Sequence, residues 1–247
     1  MISNGKFYES QFEEATIELL REAHWQYAFG DDIHRKYTDP LIEEDLRNFL
    51  TVQYKDKNLT TSEMDSIVAN LRNTGGQNDY YALRNAFLLY RDGYDFAYSD
   101  GRDNPFRLEY IDFEHPDHNI FRCVNQFVME QGRENRRPDI LLFINGIPVC
   151  IIELKNPTKQ NATIHDAHTQ ICTRYMRDIP ALLKYCALAV ISDGAKNALG
   201  TTYTPFEFFY EWKKIENEDK AGKGLDTLRT LIRGALSPER ILEILRD

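Results

Sequence analysis

The sequence contains the stretch Arg137-Pro-Asp-Ile-Leu-Leu-Phe-Ile-Asn-Gly-Ile-Pro-Val-Cys-Ile-Ile-Glu-Leu-Lys155, which predicts two apolar strands joined by an Asn-Gly turn. Strands this apolar are typical of a sheet that is covered on both faces. Their charges stand at the ends, where Asp139 opens the first strand and Glu153 and Lys155 close the second. An unpaired buried charge is costly, so these residues indicate either a bound cation or a buried ion pair.

The three charged residues have the chemistry of a phosphodiesterase centre. Residues i and i+2 of a strand share a face, so Glu153 and Lys155 project together. Asp139 adds a second hard oxygen ligand of the kind that Mg²⁺ takes, together with water and phosphate oxygens. The metal would polarise the phosphate, and Lys155 would orient or deprotonate a bound water or stabilise the developing charge. The alternative is a structural hairpin in which a carboxylate and Lys155 form a buried salt bridge.

The length of the predicted turn determines whether Asp139 and Glu153 lie on the same face of the sheet. A two-residue Asn145-Gly146 loop would set Asp139 opposite Ile152, and Glu153 would then lie on the other face of the sheet. A three-residue loop that starts at Asn145, or a bulge in one strand, would set Asp139 opposite Glu153 instead. We therefore predict one of these two irregularities, with all three charged groups on one face.

Helical patterns precede and follow the predicted hairpin. The predicted helices cover residues 9–28, 40–53, 62–73, 80–89, 164–177, 206–215 and 225–245, the last interrupted at Pro238. The predicted strands near the hairpin cover residues 106–111, 120–130 and 186–191, with a polar loop at 131–137 and a charged linker at 216–224. This order predicts an α/β fold in which a small mixed β-sheet is flanked by helices, with extra helical segments at both ends.

The charge balance limits how this chain can bind nucleic acid. The net charge of −9 argues against a protein that wraps DNA by bulk positive charge. A local basic patch is nevertheless predicted around the hairpin. The candidate DNA contacts are Arg136, Arg137, Lys159 and Arg177.

The sequence lacks membrane signals. No apolar run approaches about 20 residues, so no membrane-spanning helix and no membrane partner are expected. The first residues lack the apolar core of a signal peptide, and a cytoplasmic location is predicted. The four cysteines form no C-x-x-C pair and are expected to be reduced and buried rather than zinc ligands.

The first predicted helix carries a row of glutamates. A solvated helix face explains them and is the favoured interpretation. The alternative is that one of them, Glu9 or Glu13, points at the catalytic centre.

The central stretch resembles the nuclease motif of the PD-(D/E)xK superfamily, through Pro138-Asp139 and Glu153-Leu154-Lys155. A longer series of motifs, in the same order, is similar to the N-terminal part of the restriction (R) subunit of type I restriction enzymes. These motifs are Gln126-Phe-Val, the stretch 137–157, Ile179-Pro180, Val190-Ile-Ser-Asp-Gly194 and the aromatic segment 206–212.

This resemblance implies a restriction-endonuclease-like core in residues 1–204, with 30–92 as a mostly helical elaboration. Residues 205–247 would be a helical extension toward an ATP-dependent translocase that is absent from this chain. Asp139 and Glu153 would bind Mg²⁺, or Mn²⁺ in its place, with the Leu154 carbonyl as a further ligand, and Lys155 would be the catalytic lysine. The reaction would be cleavage of double-stranded DNA in a complex with modification (methyltransferase) and specificity subunits.

Two departures from the family pattern stand out. The family carries Gln-x-x-x-Tyr on the helix after the active site, whereas Gln170 is followed by Tyr175, one residue later. On an ideal helix these residues are about 140° apart, against about 40° for the family spacing. Three alternatives remain: a π-bulge restores the face, Arg174 takes the position, or the tyrosine contact is absent.

The second departure is that the chain has no G-x-x-x-x-G-K-[ST] motif, so ATP binding is expected only in a full-length parent. Two other functions remain open. One is a non-catalytic docking module that links the motor to the modification and specificity subunits. The other is a stand-alone, structure-specific DNA nuclease.

Overall fold

The computed structural model of the chain describes residues 4–155, 163–215 and 224–247. The helices are α1 (Asn4–Glu22), α2 (Glu43–Gln53), α3 (Thr61–Asn73), α4 (Asp79–Asp92), α5 (Ile164–Thr169), α6 (Met176–Asp178), α7 (Pro180–Leu183), α8 (Leu225–Leu231) and α9 (Pro238–Arg246). The strands are β1 (Gln26–Phe29), β2 (Tyr94–Phe96), β3 (Phe106–Leu108), β4 (Phe121–Asn125), β5 (Met129–Gln131), β6 (Glu134–Arg136), β7 (Ile140–Ile144), β8 (Ile147–Leu154), β9 (Leu188–Ser192) and β10 (Asn197–Gly200). Short 3₁₀ turns occur at 30–32, 55–57, 116–118 and 206–208, and π-helical turns at 170–175 and 232–236.

A six-stranded mixed sheet organises these elements in the order β1-β4-β7-β8-β9-β10. The pairs β1–β4 and β8–β9 are parallel, and the other pairs of this sheet are antiparallel. Every residue of β7 and β8 is buried, because these two strands lie in the middle of the sheet and helices cover both faces. The α/β class and the mixed sheet flanked by helices are therefore confirmed.

The two faces of the sheet belong to separate hydrophobic clusters. One face packs against α1 to α4 and the C-terminal helices, and its β7–β8 residues include Leu142 and Ile152. The other face packs against α5 to α7, and its residues include Leu141 and Ile151. Alternate residues of the central strands thus serve opposite layers, which makes strand register decisive for the placement of polar side chains.

The central hairpin combines a tight turn with a bulge. Asn145 and Gly146 both have positive φ, 50° and 76°, as a two-residue hairpin turn of type I′ requires. The register then shifts between Leu142 and Phe143: the pairs are Ile144–Ile147 and Phe143–Pro148, followed by Leu142–Cys150 and Ile140–Ile152. Val149 is the extra residue. Pro148 lies beside it, at a position where a residue without a backbone N–H is tolerated.

One predicted helix is wrong at its C-terminal end, and another is wrong as a whole. The first helix ends at Glu22 rather than continuing to residue 28, and residues 26–29 form an edge strand parallel to β4. The aromatic segment 206–215 contains only a 3₁₀ turn, Phe206–Phe208, and Tyr210 then pairs with Leu199 beside the sheet. In both segments pairing with a strand prevails over local helical propensity.

Other predicted elements are confirmed with adjusted ends. The helices predicted at 40–53, 62–73 and 80–89 are α2, α3 and α4. The polar loop predicted at 131–137 is in part a small hairpin, β5–β6, that turns at Gly132. The predicted strand 120–130 lies next to the central hairpin, as β4, but ends at Asn125.

The C-terminal helices pack on the main body of the chain. The second helix begins at Pro238, as predicted, and buried residues of both helices join the cluster that covers one face of the sheet. Trp25 Nε1 donates a hydrogen bond of 2.7 Å to the carbonyl of Leu236. The division of the chain at residue 204 stays a prediction, and the predicted linker 216–224 lies almost wholly outside the described residues.

Candidate active site

The charged residues of the central hairpin meet at its open end. The register beyond the bulge pairs Ile140 with Ile152, so the next pair sets Asp139 opposite Glu153. The Leu154 N–H donates a hydrogen bond of 2.7 Å to Asp139 Oδ2. The bulge thus satisfies the predicted demand for a shared face, and the two-residue turn alone would not have done so.

Glu153 is the most deeply buried charged group of this end. Its residue is only 1% exposed. Burial, together with the neighbouring Asp139 carboxylate, raises the pKa of Glu153 from 4.5 to about 8, although Lys155 and Tyr175 act in the opposite direction. The folded chain therefore concentrates negative potential here, which a cation would relieve.

Lys155 is positioned by two acceptors. Its Nζ donates to Glu153 Oε1 and to Gln170 Oε1, both at 2.7 Å, and its side chain is 13% exposed. The ammonium group is thus fixed at the mouth of the site rather than free in solvent. Such a cation can orient a water or stabilise negative charge that develops on a phosphate.

A π-helical turn, Gln170–Tyr175, follows α5 and completes the site. Gln170 Nε2 donates to the Tyr175 hydroxyl at 2.6 Å, and that hydroxyl donates to Glu153 Oε2 at 3.3 Å. The widened turn brings the tyrosine onto the glutamine face despite the extra residue between them. The first of the three alternatives is confirmed, since Arg174 is exposed and Tyr175 is buried.

The donor set at the open end suits a hard divalent cation. It comprises the carboxylates of Asp139 and Glu153 on one face and the backbone of Leu154 between them. In an extended strand the N–H and C=O of one residue project toward the same neighbouring strand, so the Leu154 carbonyl projects toward Asp139. Oxygen donors of this kind are those that Mg²⁺ prefers in proteins.

Glu13 reaches the same end of the sheet from α1. Its carboxylate accepts hydrogen bonds from Asn125 Nδ2 at 2.7 Å and from Gln126 Nε2 at 2.9 Å. Gln126, whose φ is 55°, also donates its backbone N–H to the carbonyl of Asp139 at 3.3 Å. Glu13 therefore belongs to the surroundings of Asp139 rather than to a solvated face. The Glu9 side chain lies outside the described part of the structure.

Sequence reasoning missed two polar side chains at this end, Asn125 and Tyr27. The Tyr27 hydroxyl donates to Asn125 Oδ1 at 3.0 Å, which orients the amide toward Glu13. Tyr27 lies within the predicted helix 9–28, so the sequence does not indicate its position beside β4. The Asn-Gln pair at the end of a predicted strand was the available signal.

The candidate DNA contacts have different surroundings. Arg136 and Arg177 each bind an oxygen of the buried Asp178 carboxylate, at 2.7 and 2.6 Å. Arg137 is exposed beside Asp139 and forms no ion pair with any residue of the described ranges. Lys159 lies outside the described residues. Arg136 and Arg177 thus hold part of the structure. Arg137 and Arg177, whose side chain is 70% exposed, are the candidates open to a ligand among the described residues.

A mixed α/β sheet with two carboxylates and a lysine at the open end of its central hairpin defines a restriction-endonuclease-like protein. The chain belongs to the family described as type I restriction enzyme R protein N terminus, whose pattern matches residues 6–208.

Curated relatives of the chain are named as type I restriction enzyme endonuclease subunits. It is 29% identical over 250 residues to the type I restriction enzyme HindI endonuclease subunit of Haemophilus influenzae, covering 96% of this chain and 23% of that protein. It is 28% identical over 259 residues to the putative type I restriction enzyme MjaIXP endonuclease subunit of Methanocaldococcus jannaschii, covering 95% of this chain and 25% of that protein. The type I restriction enzyme EcoprrI endonuclease subunit of Escherichia coli is 31% identical over 133 residues, 50% of this chain and 40% of that protein.

The chain thus spans about a quarter of the length of the first two relatives. Among the described residues, no helix combines the length and apolarity needed to cross a membrane.

Proposed function

We propose that this chain is the Mg²⁺-dependent endonuclease domain of a type I restriction-modification complex and cleaves double-stranded DNA. The observation that carries the proposal is the hydrogen-bonded set Asp139, Glu153, Lys155, Gln170 and Tyr175. Its formation required both a β-bulge and a π-turn. Irregularities of this kind are common next to active sites, where they re-aim side chains.

Asp139, Glu153 and the Leu154 carbonyl would hold the metal. When bound, Mg²⁺ supplies polarisation of the scissile phosphate and lowers the pKa of a coordinated water. Mn²⁺ would substitute for it, because both ions accept hard oxygen ligands. Binding of a cation also favours the deprotonated form of Glu153, whose pKa is raised in the metal-free fold.

The other residues of the set would act on the water and on the metal ligands. Lys155 Nζ would orient the attacking water or stabilise charge on the phosphate. The Tyr175 hydroxyl and the Gln170 amide would fix Glu153 and Lys155, in the way that outer-shell hydrogen bonds fix metal ligands. Glu13 would hold the strand end at Asp139 through Gln126.

The wider complex would supply what this chain lacks. The net charge of −9 leaves little general attraction for DNA, so modification and specificity subunits would provide most of the affinity and the recognition sequence. ATP hydrolysis would belong to the translocase part of a longer parent, since this chain has no P-loop motif. We place the complex in the cytoplasm.

Plasmid cleavage tests the proposal. We expect the wild-type chain to nick supercoiled plasmid with Mg²⁺ or Mn²⁺, and Asp139→Asn and Lys155→Ala each to lower the rate by about 100-fold or more. Lys36→Ala, which removes an exposed lysine elsewhere, is the matched control and should cleave as the wild type does. Equal rates in all four proteins would indicate a contaminating nuclease and would favour a docking role for the chain.

A further inference from the structure

A second group of metal-ligating side chains lies between β3 and β4, in the turn that contains residues 112–119. The ligand atoms of Asp112, His115 and His118 all lie within 4.8 Å of one another. His118 Nδ1 is 2.9 Å and His115 Nδ1 is 3.4 Å from the same atom, Asp112 Oδ2. The two imidazole rings are stacked, with centroids 4.8 Å apart. Three ligand atoms therefore converge on one point at the surface.

Two of the three separations are close to those of a tetrahedral metal site. Ligand atoms about 2.0–2.1 Å from a tetrahedral zinc are about 3.3 Å from one another. The two distances between the carboxylate oxygen and the imidazole nitrogens lie on either side of this value. Two imidazoles and one carboxylate are also a ligand set that zinc takes with a water in its fourth position.

The carboxylate of this group is already held as a metal ligand needs to be. Asp112 Oδ1 accepts hydrogen bonds from the backbone N–H groups of Glu114 and His115, at 3.0 and 2.9 Å. Gln53 Nε2 donates to Asp112 Oδ2 at 3.2 Å. Asp112 is buried, whereas both imidazoles are about half exposed. A fixed carboxylate and two accessible imidazoles allow an ion to enter with little rearrangement.

The turn is also tied to the closed end of the central hairpin. Asn119 Oδ1 accepts from the backbone N–H of Asp112 at 2.9 Å and from Asn145 Nδ2 at 2.8 Å. Asn145 in turn accepts from the Ile120 N–H at 2.8 Å. An ion that clamps the turn would therefore stabilise the support of the hairpin, at the end remote from Asp139.

We propose that Asp112, His115 and His118 form a binding site for a divalent transition metal of the zinc class, separate from the candidate active site. The imidazoles distinguish it from a magnesium site, because Mg²⁺ takes oxygen ligands and zinc readily takes nitrogen. In the metal-free chain the same atoms hold the turn through the hydrogen bond between His118 and Asp112. The site belongs to the fold of this chain, so it does not depend on the proposed nuclease function.

Calorimetric titration with Zn²⁺ tests the site, with millimolar Mg²⁺ present throughout to occupy all-oxygen sites. We expect one equivalent of Zn²⁺ to bind the wild-type chain, and His115→Ala or His118→Ala to weaken binding by more than about 10-fold. The matched control is His34→Ala, which removes an exposed histidine elsewhere and should bind as the wild type does. Both test variants alter half-exposed side chains, so both should fold.

Thermal unfolding gives a second measurement. Zn²⁺ at about 100 times its Kd should raise the melting temperature of the wild type by about 5–10 °C and leave that of His118→Ala unchanged. Absence of micromolar Zn²⁺ binding, or equal binding in the wild type and both test variants, would overturn the proposal. So would a melting temperature that rises equally in wild type and variant.

Discussion

The two ends of the β7–β8 hairpin each hold a fully buried polar residue but differ in the kind of polar group. At the turn, Asn145 is fully buried, and its amide bonds the carbonyl of Tyr110, the N–H of Ile120 and the side chain of Asn119. At the open end, Glu153 is equally buried, but its charged form is disfavoured by burial and by Asp139.

The two ends therefore affect the stability of the fold differently. Neutral amides with complete hydrogen bonding hold the turn at little expense in stability. A buried carboxylate beside another carboxylate destabilises the metal-free fold, and such costs persist in proteins mainly at functional sites. Substitutions at the turn should therefore change stability, and substitutions at the open end should change metal binding and cleavage.

The largest effect is expected from Glu153→Gln. The wild-type carboxyl has a folded pKa of about 8 against 4.5 ordinarily, so the folded state holds its proton more tightly. The free energy of unfolding of the metal-free chain should fall as the pH rises from about 4.5 to about 8, and this part of the decline should be missing in the variant. Mn²⁺ affinity should fall by about 100-fold or more, measured by calorimetry at pH 8. Unchanged Mn²⁺ binding would exclude Glu153 as a ligand.

A smaller effect, on stability, is expected from Gly146→Ala at the turn. The residue has a φ of 76°, and an added Cβ would lie 2.1 Å from the carbonyl oxygen of Ile42. We expect a loss of about 2–4 kcal/mol in the free energy of unfolding, measured by urea titration. The control is Gly101→Ala, which has a similar φ of 64° but open space around the new methyl group. Equal losses in the two variants would show that the close approach to Ile42 contributes nothing.

A still smaller effect, on the rate of plasmid cleavage, is expected from Tyr175→Phe. The change removes the hydroxyl that joins Gln170 to Glu153 and leaves the buried ring in place. Plasmid cleavage should slow by about 10-fold, as is usual when an outer-shell partner of a metal ligand is lost. Tyr210→Phe, which alters an exposed ring, should cleave as the wild type does. Full activity of Tyr175→Phe would remove the tyrosine from the site.

The smallest effect is expected from deleting Thr173, an exposed residue of the π-turn. The deletion restores the Gln-x-x-x-Tyr spacing on a regular α-helix, so the contact between the glutamine and the tyrosine should survive. Plasmid cleavage should change by less than about 3-fold. Inserting one alanine at the same place should instead rotate the tyrosine away and slow cleavage as Tyr175→Phe does. A deletion as damaging as Asp139→Asn would mean that the π-turn itself is required.

Much of the open end followed from local patterns. The apolar run around Asn145-Gly146 predicted the hairpin, and alternation along a strand placed Glu153 and Lys155 together. The same alternation required a bulge or a longer turn before Asp139 could join them. Because Gln170 and Tyr175 are one residue further apart than in the family pattern, three arrangements of the tyrosine were possible, and a π-turn was one of them. The inferences about the hairpin needed only the period of a strand, whereas those about Gln170 and Tyr175 also needed the pattern that the family resemblance implies.

Other features depend on contacts that only the folded chain makes. Residues 26–29 became a strand because β4 offers a parallel partner about a hundred positions later. Tyr210 lies in an extended segment because it pairs with Leu199. The sequence contains six histidines, and the convergence of His115 and His118 on Asp112 depends on how the turn 112–119 folds.

The sequence determines the candidate chemistry of this protein, because it supplies Asp139 just before β7 and places Glu153 and Lys155 two residues apart, on one face of the second strand. It also determines the tight turn, since Asn-Gly suits two consecutive residues with positive φ. The choice among irregularities belongs to the tertiary structure. The bulge at Val149 sets a register in which the two packed faces of the sheet each receive their own apolar side chains. The π-turn Gln170–Tyr175 brings the Tyr175 hydroxyl to Glu153, a contact between separate elements that no local period specifies.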